Sequence, residues 1–256
     1  MHRRINLLII GKLWKKKNRR FPEYDRSGNY LYDPLPISTP LELARSIQRK
    51  SLEAQCKRLK IPYDNIFTQE TRKPEKIVLD SLKEAGWDGS SCEGYTIKYL
   101  VKAAALSGIV KDTEKDGVDK GVAVSGLLEG HFIRHGYDTS HLRKEVMKTS
   151  NIVLRSRYKK VIKGSSFGGL ATPKLATRFL KVLGRESIYN LLEMYGRYNF
   201  DVRAGWPDLV VVRDNFIRFV EVKKKDKLNL SQIQTIPELQ KCLPSNSSIE
   251  VIRVSN

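Results

Sequence analysis

Asp208, Glu221 and Lys223 are the residues whose types and spacing are suited to chemistry. Glu221 and Lys223 sit two apart in Phe219-Val220-Glu221-Val222-Lys223, a run that reads as a buried strand. Side chains two apart in a strand share a face, so this pair projects together while Val220 and Val222 turn the other way, into a core. Burying a lone charge is costly, and ionisable groups in such places are usually paired or metal-bound. Asp208 opens the preceding apolar run, directly after Gly205-Trp206-Pro207, and a tight hairpin through Arg213-Asp214-Asn215 would bring it near Glu221. Two converging carboxylates repel one another unless a cation lies between them, and oxygen-only ligation with open positions suits Mg2+ or Mn2+. Lys223 beside such an ion would place or deprotonate a water, or stabilise negative charge on a phosphate. The alternative is a sheet whose charges form a surface ion pair.

The elements around these residues change period along the chain. Thr39-Pro40-Leu41-Glu42 has the form of a capping box with proline at the first helical position and opens a helix to about Leu59. A second helix starts at Pro74 and is capped by Gly86. After a turn at Trp87-Asp88-Gly89-Ser90-Ser91, the run EGYTIKYLVKAAAL reads as a third. A polar, glycine-bearing loop is predicted from Ser107 to Gly121, then mostly helix over 122–200, with a marked pair at Thr172–Gly184 and about Glu186–Gly196. The period then becomes strand-like at Phe200–Val202, Leu209–Val212, Ile217–Val222 and Ile249–Val254.

Proline-aspartate, twelve residues, then glutamate-x-lysine is the pattern of the PD-(D/E)XK nucleases. The stretch GWPDLVVVRDNFIRFVEVKKKDKLNLSQIQ closely resembles the VRR-NUC branch of that superfamily, with Asp208, Glu221, Lys223, Asp226, Leu228 and Gln232 at its motif positions. Upstream, GWDGSSCEGYTIKYL resembles the segment before the nuclease core in the Fanconi-anaemia-associated nuclease family, and that likeness puts Glu93 in the metal site. From the residues alone, the alternative for Glu93 is a carboxylate favoured by a helix dipole.

The resemblance implies an α/β fold: a restriction-endonuclease-like core, a small mixed sheet flanked by helices, with a largely helical N-terminal and middle region. Composition marks 1–70 as a basic arm and helical extension, and the resemblance, which covers about 74–106 and 200–254, implies a nuclease domain at 71–256 with a helical insertion at about 107–199. Asp208 and Glu221 would hold Mg2+ or Mn2+, joined by the backbone carbonyl of Val222 and by Glu93. Lys223 would orient the attacking water, with Gln232 in support. Pro237, inside the helix that carries Gln232, is expected to kink or split it, and Gln234 takes over if the register slips. Lys223-Lys224-Lys225 stands where the family often has lysine-glycine.

The implied activity is metal-dependent hydrolysis of phosphodiester bonds in DNA, at flaps, ends or junctions. A dimeric Holliday-junction resolvase and a catalytically silent DNA-binding module are the alternatives, and a homodimer stays open as an arrangement. Charge agrees with a DNA partner: the 256 residues carry a formal net charge of +19, and basic side chains displace counterions from phosphates. Arg3, Arg4, Lys12, Lys15, Lys16, Lys17, Arg19 and Arg20 occur in the first twenty residues without an acid. Arg155, Arg157, Lys159 and Lys160, with Lys163, make the densest internal basic run. Together with Lys224 and Lys225, these are the candidate DNA contacts. Trp14, Phe21, Tyr24, Tyr30 and Tyr32 either stack on bases or pack on the core.

Other chemistries are disfavoured. Cys56, Cys92 and Cys242 are far apart, which argues against a disulfide framework or a Cys-x-x-Cys zinc site and fits a reducing compartment, cytoplasmic or nuclear. His131 and His135 lack the glutamate that would make a zincin motif, and KGSSFGGLATPK lacks the Gly-Lys-Ser/Thr ending of a P-loop. The apolar run Ile5–Ile10 is too short to span a membrane.

Overall fold

Two valine-rich strands joined by a two-residue turn form the centre of the sheet, and every other element is placed by what it covers on them. The computed structural model describes residues 39–91, 93–125, 133, 136–163, 165, 168–198 and 202–255. In chain order these give helices α1 (Leu41–Gln48) and α2 (Leu52–Leu59), strand β1 (Tyr63–Phe67), helix α3 (Pro74–Glu84) and strand β2 (Asp88–Ser91). Helices α4 (Tyr95–Ala104), α5 (Leu106–Lys115), α6 (Lys120–Ser125), α7 (Arg143–Lys148), α8 (Asn151–Lys163) and α9 (Pro173–Tyr198) follow. Strands β3 (Leu209–Arg213) and β4 (Phe216–Lys223), helix α10 (Leu230–Cys242) and strand β5 (Ser247–Ser255) complete the chain. Among the described residues no helix is long and apolar enough to cross a membrane.

The sheet is mixed, in the order β1-β5-β4-β3-β2. β2, β3 and β4 are antiparallel neighbours, whereas β5 runs parallel to both β4 and β1. Alternation sorts the side chains as the sequence predicts. Leu209, Val211, Val220, Val222, Ile252 and Val254 form one apolar face with Ile77, Val78 and Leu82 of α3 and with Trp87. The odd-numbered positions of β4, among them Glu221 and Lys223, lie on the other face.

Several boundaries differ from the expected ones. Residues 39–70 are not an appendage: β1 pairs along its whole length with β5, and Gln55 of α2 is buried between chain segments. Its amide accepts from the Leu228 N–H at 2.9 Å and donates to the Leu228 carbonyl at 3.3 Å, tying α2 to the turn that leads into α10. Gln55→Leu would leave both Leu228 groups buried and unpaired and should cost about 1–3 kcal/mol each, read as a lower melting temperature. The first predicted helix is two, because Ser51 caps a new one by accepting from the Ala54 N–H.

The predicted loop at 107–121 is largely helix α5. Gly108 suggests a loop in sequence, but a Cβ there would lie 2.2 Å from Leu142 Cδ2, so the glycine serves close packing. The predicted turn at 87–91 contains β2, and Val202 lies in a turn rather than a strand, with Phe200 outside the described residues. The helix pair at 172–196 is α9, interrupted at Gly184, whose φ of 75° is non-helical.

Candidate active site

Extending the β3–β4 register by one step, in which Leu209 faces Val220, sets Asp208 opposite Glu221. Directly opposed residues in an antiparallel pair have Cβ atoms about 4.5–5.5 Å apart and project from the same face. The Val222 N–H donates to Asp208 Oδ2 at 2.8 Å, which anchors the aspartate across the strand ends. Glu221 is buried. Its Oε1 accepts from Lys223 Nζ at 2.8 Å and from Gln232 Nε2 at 2.5 Å. Its Oε2 is buried with no hydrogen-bond partner among the described residues.

Gln232 reaches Glu221 because the start of α10 is fixed. Asn229 caps the helix by accepting from the Gln232 N–H at 2.8 Å, while Gln232 Oε1 accepts from the Asn229 N–H at 3.0 Å. This capping box consumes the oxygen end of the Gln232 amide and leaves its NH2 to point at the carboxylate. Pro237 does not split the helix, which runs unbroken from Leu230 to Cys242. The turn before the proline is pinned by the capping box and by Thr235, whose hydroxyl donates to the Ala204 carbonyl at 2.8 Å, and Ile233, Ile236 and Leu239 are buried. The register therefore stays on Gln232.

Gly205 sets the distance between the strand ends and α10. Its φ is +83°, and a Cβ would lie 2.4 Å from the Ser231 carbonyl oxygen and 2.7 Å from the Gln232 nitrogen. Gly205→Ala should thus push the first turn of α10 outward and loosen Gln232 from Glu221. Left-handed strain alone costs about 1–2 kcal/mol, so the variant should melt several degrees lower in scanning calorimetry.

Glu93 lies at the edge of the same site. Its backbone N–H donates to the Asp208 carbonyl at 3.2 Å. Its φ is +48°, a left-handed conformation that costs a non-glycine residue energy. The following Gly94, at φ +74°, sits where a Cβ would be 2.5 Å from the Trp206 ring. Glu93 precedes α4 and lies outside it, so its carboxylate lines a cleft of about 830 Å³ together with Asp208, Ser91, Tyr95, Gly168 and residues of α3. Glu75 on the first turn of α3 lines the cleft too, a carboxylate not singled out in the sequence. Pro74-Glu75 reads as a helix start favoured by the dipole, and only the tertiary fold sets it near Asp208.

Electrostatics follow from this crowding. Burial raises the Asp208 carboxyl to about 6, opposed by the Val222 N–H and Lys223 and helped by Glu75 and Glu93. Burial, then the charge of Asp208, raises Glu221 to about 8 despite Lys223 and Gln232. Burial would lower the Lys223 ammonium, but Glu221 and Asp226 outweigh it and hold its pKa above the ordinary value. Lys223 therefore stays a cation, which disfavours its use as a base.

Among the described residues no three His, Cys, Asp or Glu side chains form a cluster able to hold a metal unaided. The two opposed carboxylates and the buried, unpartnered Glu221 Oε2 nonetheless fit Mg2+ or Mn2+, since Mg2+ commonly takes one or two carboxylates and completes its shell with water and substrate phosphate oxygens.

The remaining candidates are dispersed. Lys224 and Lys225 are exposed just beyond β4, and Arg155, Lys159 and Lys160 are exposed on α8. Arg157, expected to meet DNA, instead turns inward: it pairs with Glu145 at 2.6 Å and donates to Ser107 Oγ at 2.5 Å, bracing α5, α7 and α8. Arg3, Arg4, Lys15, Lys16, Lys17, Arg19, Arg20, the arm aromatics, Cys92, His131 and His135 lie outside the described residues.

Helix α3, the antiparallel strands β2 to β4, helix α10 and the parallel strand β5 form a mixed α/β core with acids and a lysine at the strand ends, the arrangement that the resemblance to the PD-(D/E)XK nucleases implies. Within it, residues 148–256 match the model of the VRR-NUC domain. The match takes in Asp208, Glu221, Lys223 and Gln232 and excludes Glu93 and Glu75. No curated protein matches the sequence. Solved structures similar to this chain include paFAN1 bound to 2-nucleotide 5′-flap DNA with a gap, at 16% identity and a TM-score of 0.50, covering 86% of this chain and 46% of that one. Another is paFAN1 bound to 1-nucleotide 5′-flap DNA with a gap, at 15% identity and a TM-score of 0.50, covering 86% and 47%. The chain thus spans less than half the length of these structures.

Proposed function

We propose that the protein is a Mg2+- or Mn2+-dependent nuclease that hydrolyses phosphodiester bonds in DNA, at flaps or ends. The observation that carries this reading is Glu221, set opposite Asp208, whose Oε1 is held by Lys223 and Gln232 while its buried Oε2 has no hydrogen-bond partner among the described residues. Asp208 and Glu221 would hold the ion, and the Val222 carbonyl and Glu93 and Glu75, which line the cleft with Asp208, would complete its shell directly or through water. Bound there, the ion would polarise a phosphoryl oxygen and lower the pKa of a water. Lys223, kept protonated, offsets charge growing on the phosphate and orients the attacking water. Gln232 holds the Glu221 carboxylate in one rotamer, a positioning role. The flap DNA in the similar structures supports a flap- or end-directed activity over the dimeric junction resolvase.

The test is incubation with labelled linear duplex, 5′-flap and four-way DNA in Mg2+, Mn2+ or EDTA. Flap incision that needs the metal is the expected result. Paired symmetric cuts on four-way DNA would favour the resolvase. Binding without cutting under every condition would leave a silent DNA-binding module.

A further inference from the structure

Tyr95 is, among the described residues, the one aromatic side chain that lines the cleft holding Asp208 and Glu93. Helix α3 supplies the apolar Pro74 and Leu79 to the same cleft. Its volume of about 830 Å³ falls within the range of about 300–1,000 Å³ that small ligands occupy. There is room for one nucleotide beside the carboxylates.

The Tyr95 ring is braced by its own helix. Tyr95 is half-buried at the first position of α4, and Lys98 and Tyr99, three and four residues on, share its side of the helix. Lys98 is only 3% exposed, and its Nζ lies 4.5 Å from the centre of the Tyr95 ring. Lysine is seldom buried so far unless its ammonium is held. Here Nζ donates to the Arg203 carbonyl at 2.7 Å and lies 5.5 Å from the centre of the Trp206 ring. The Tyr99 ring centre is 6.5 Å from that of Tyr95, and the Tyr99 hydroxyl donates to Ser165 Oγ at 3.0 Å. A fixed cation and a fixed ring thus set the orientation of Tyr95, and little side-chain freedom is left to lose when something settles on it.

The surroundings select the kind of group that fits. Glu93 stands two residues before Tyr95, and Glu75 and Asp208 line the same cleft. An anion on the ring would meet their repulsion. A flat, neutral heterocycle would not, and it gains by offset stacking on an aromatic face. The ammonium behind the ring draws on its π density, which favours an electron-rich heterocycle on the opposite face.

We propose that Tyr95 is a nucleobase-stacking platform, on which the base next to the phosphate held at Asp208 and Glu221 comes to rest, against the face of the ring away from Lys98. This rests on the reading of the protein as a DNA nuclease. Lys98 is a positioning residue that fixes the ring. Stacking on a π-face tolerates every base, so the platform supplies no sequence preference. Taking a base out of its stack costs least where it is mismatched or unpaired, so cutting beside such a base is favoured.

The test first maps the cut made by the wild-type protein, then compares DNA carrying a normal base beside that position with DNA carrying an abasic nucleotide there. On normal DNA, Tyr95→Ala should lower kcat/KM by about 5- to 150-fold, the worth of one stacked base. On abasic DNA the ratio of wild type to variant should fall to about one, and Tyr95→Phe should match the wild type on both. In the wild-type protein, 5-iodouracil placed beside the cut should cross-link to Tyr95 on irradiation in EDTA, read by mass spectrometry, a measurement independent of how the variant folds. An equal loss on normal and abasic DNA would make Tyr95 a packing residue and overturn the platform. Cross-links confined to other residues, in a protein that binds and cuts DNA, would overturn it as well. A wild-type protein that neither binds nor cuts DNA would remove the underlying reading instead.

Discussion

Asp208→Asn is expected to lower single-turnover flap cleavage in Mg2+ by about three orders of magnitude or more, while the metal-free variant melts at a higher temperature than the wild type. Removing a metal-holding charge forfeits several kcal/mol of transition-state stabilisation, and each 1.36 kcal/mol is about tenfold in rate. The stability change has the opposite sign because the lost charge is an unfavourable one. Asp208 ionises against burial and against Glu221, Glu75 and Glu93, which is why its carboxyl is raised to about 6. The amide is close to isosteric, and its oxygen can still accept from the Val222 N–H, now at 2.8 Å from Oδ2. Flap cleavage and calorimetry in EDTA read the two effects together. Cleavage within tenfold of wild type would take Asp208 out of the reaction. A lower melting temperature would mean that the carboxylate supports the fold and is not strained by it.

The strand that carries the candidate site was legible because its departures from the hydrophobic pattern were themselves periodic. Glu221 and Lys223 interrupt a buried run on one face only, and the hairpin arithmetic through Asp214 and Asn215 brings Asp208 opposite. Other parts could not be read because their cause is not local. β2 consists of Asp88-Gly89-Ser90-Ser91, residues that favour turns, and it is a strand because β3 offers it a partner. Gly89 even packs with its would-be Cβ 2.3 Å from Val211, so a residue with stronger strand propensity would not fit. β1 is short and mixed in polarity, and only the open edge of β5 makes it a strand. Arg157 and its neighbours Arg155 and Lys159 look alike in the basic run, yet Glu145 claims the first and leaves the others exposed. Sequence thus marks where charge must be paid for locally, and long-range partners decide which charges remain available.

The same strained carboxylates should make stability fall with rising pH until a metal is supplied. Asp208 and Glu221 move from ordinary values of 3.8 and 4.5 to about 6 and about 8 in the folded protein. Between those limits the unfolded chain has released protons that the folded site still holds. Stability varies with pH as the difference between protons bound by the unfolded and folded states, which is negative here. The contribution of the pair to stability is therefore greatest below about pH 4 and declines through about pH 8. A divalent cation held at this site would reverse the penalty, because it would bind the ionised carboxylates and displace their protons. At one hundred times its dissociation constant it should add about 2.7 kcal/mol, or roughly 5–10 °C for a domain of this size. Thermal melts at pH 6, 7 and 8, with EDTA or with a fixed Mn2+ concentration, should show a metal-induced shift that grows with pH. The shift should be largely absent in Asp208→Asn. A Mn2+ shift that is the same at every pH, or that persists in the variant, would place the ion elsewhere on the protein.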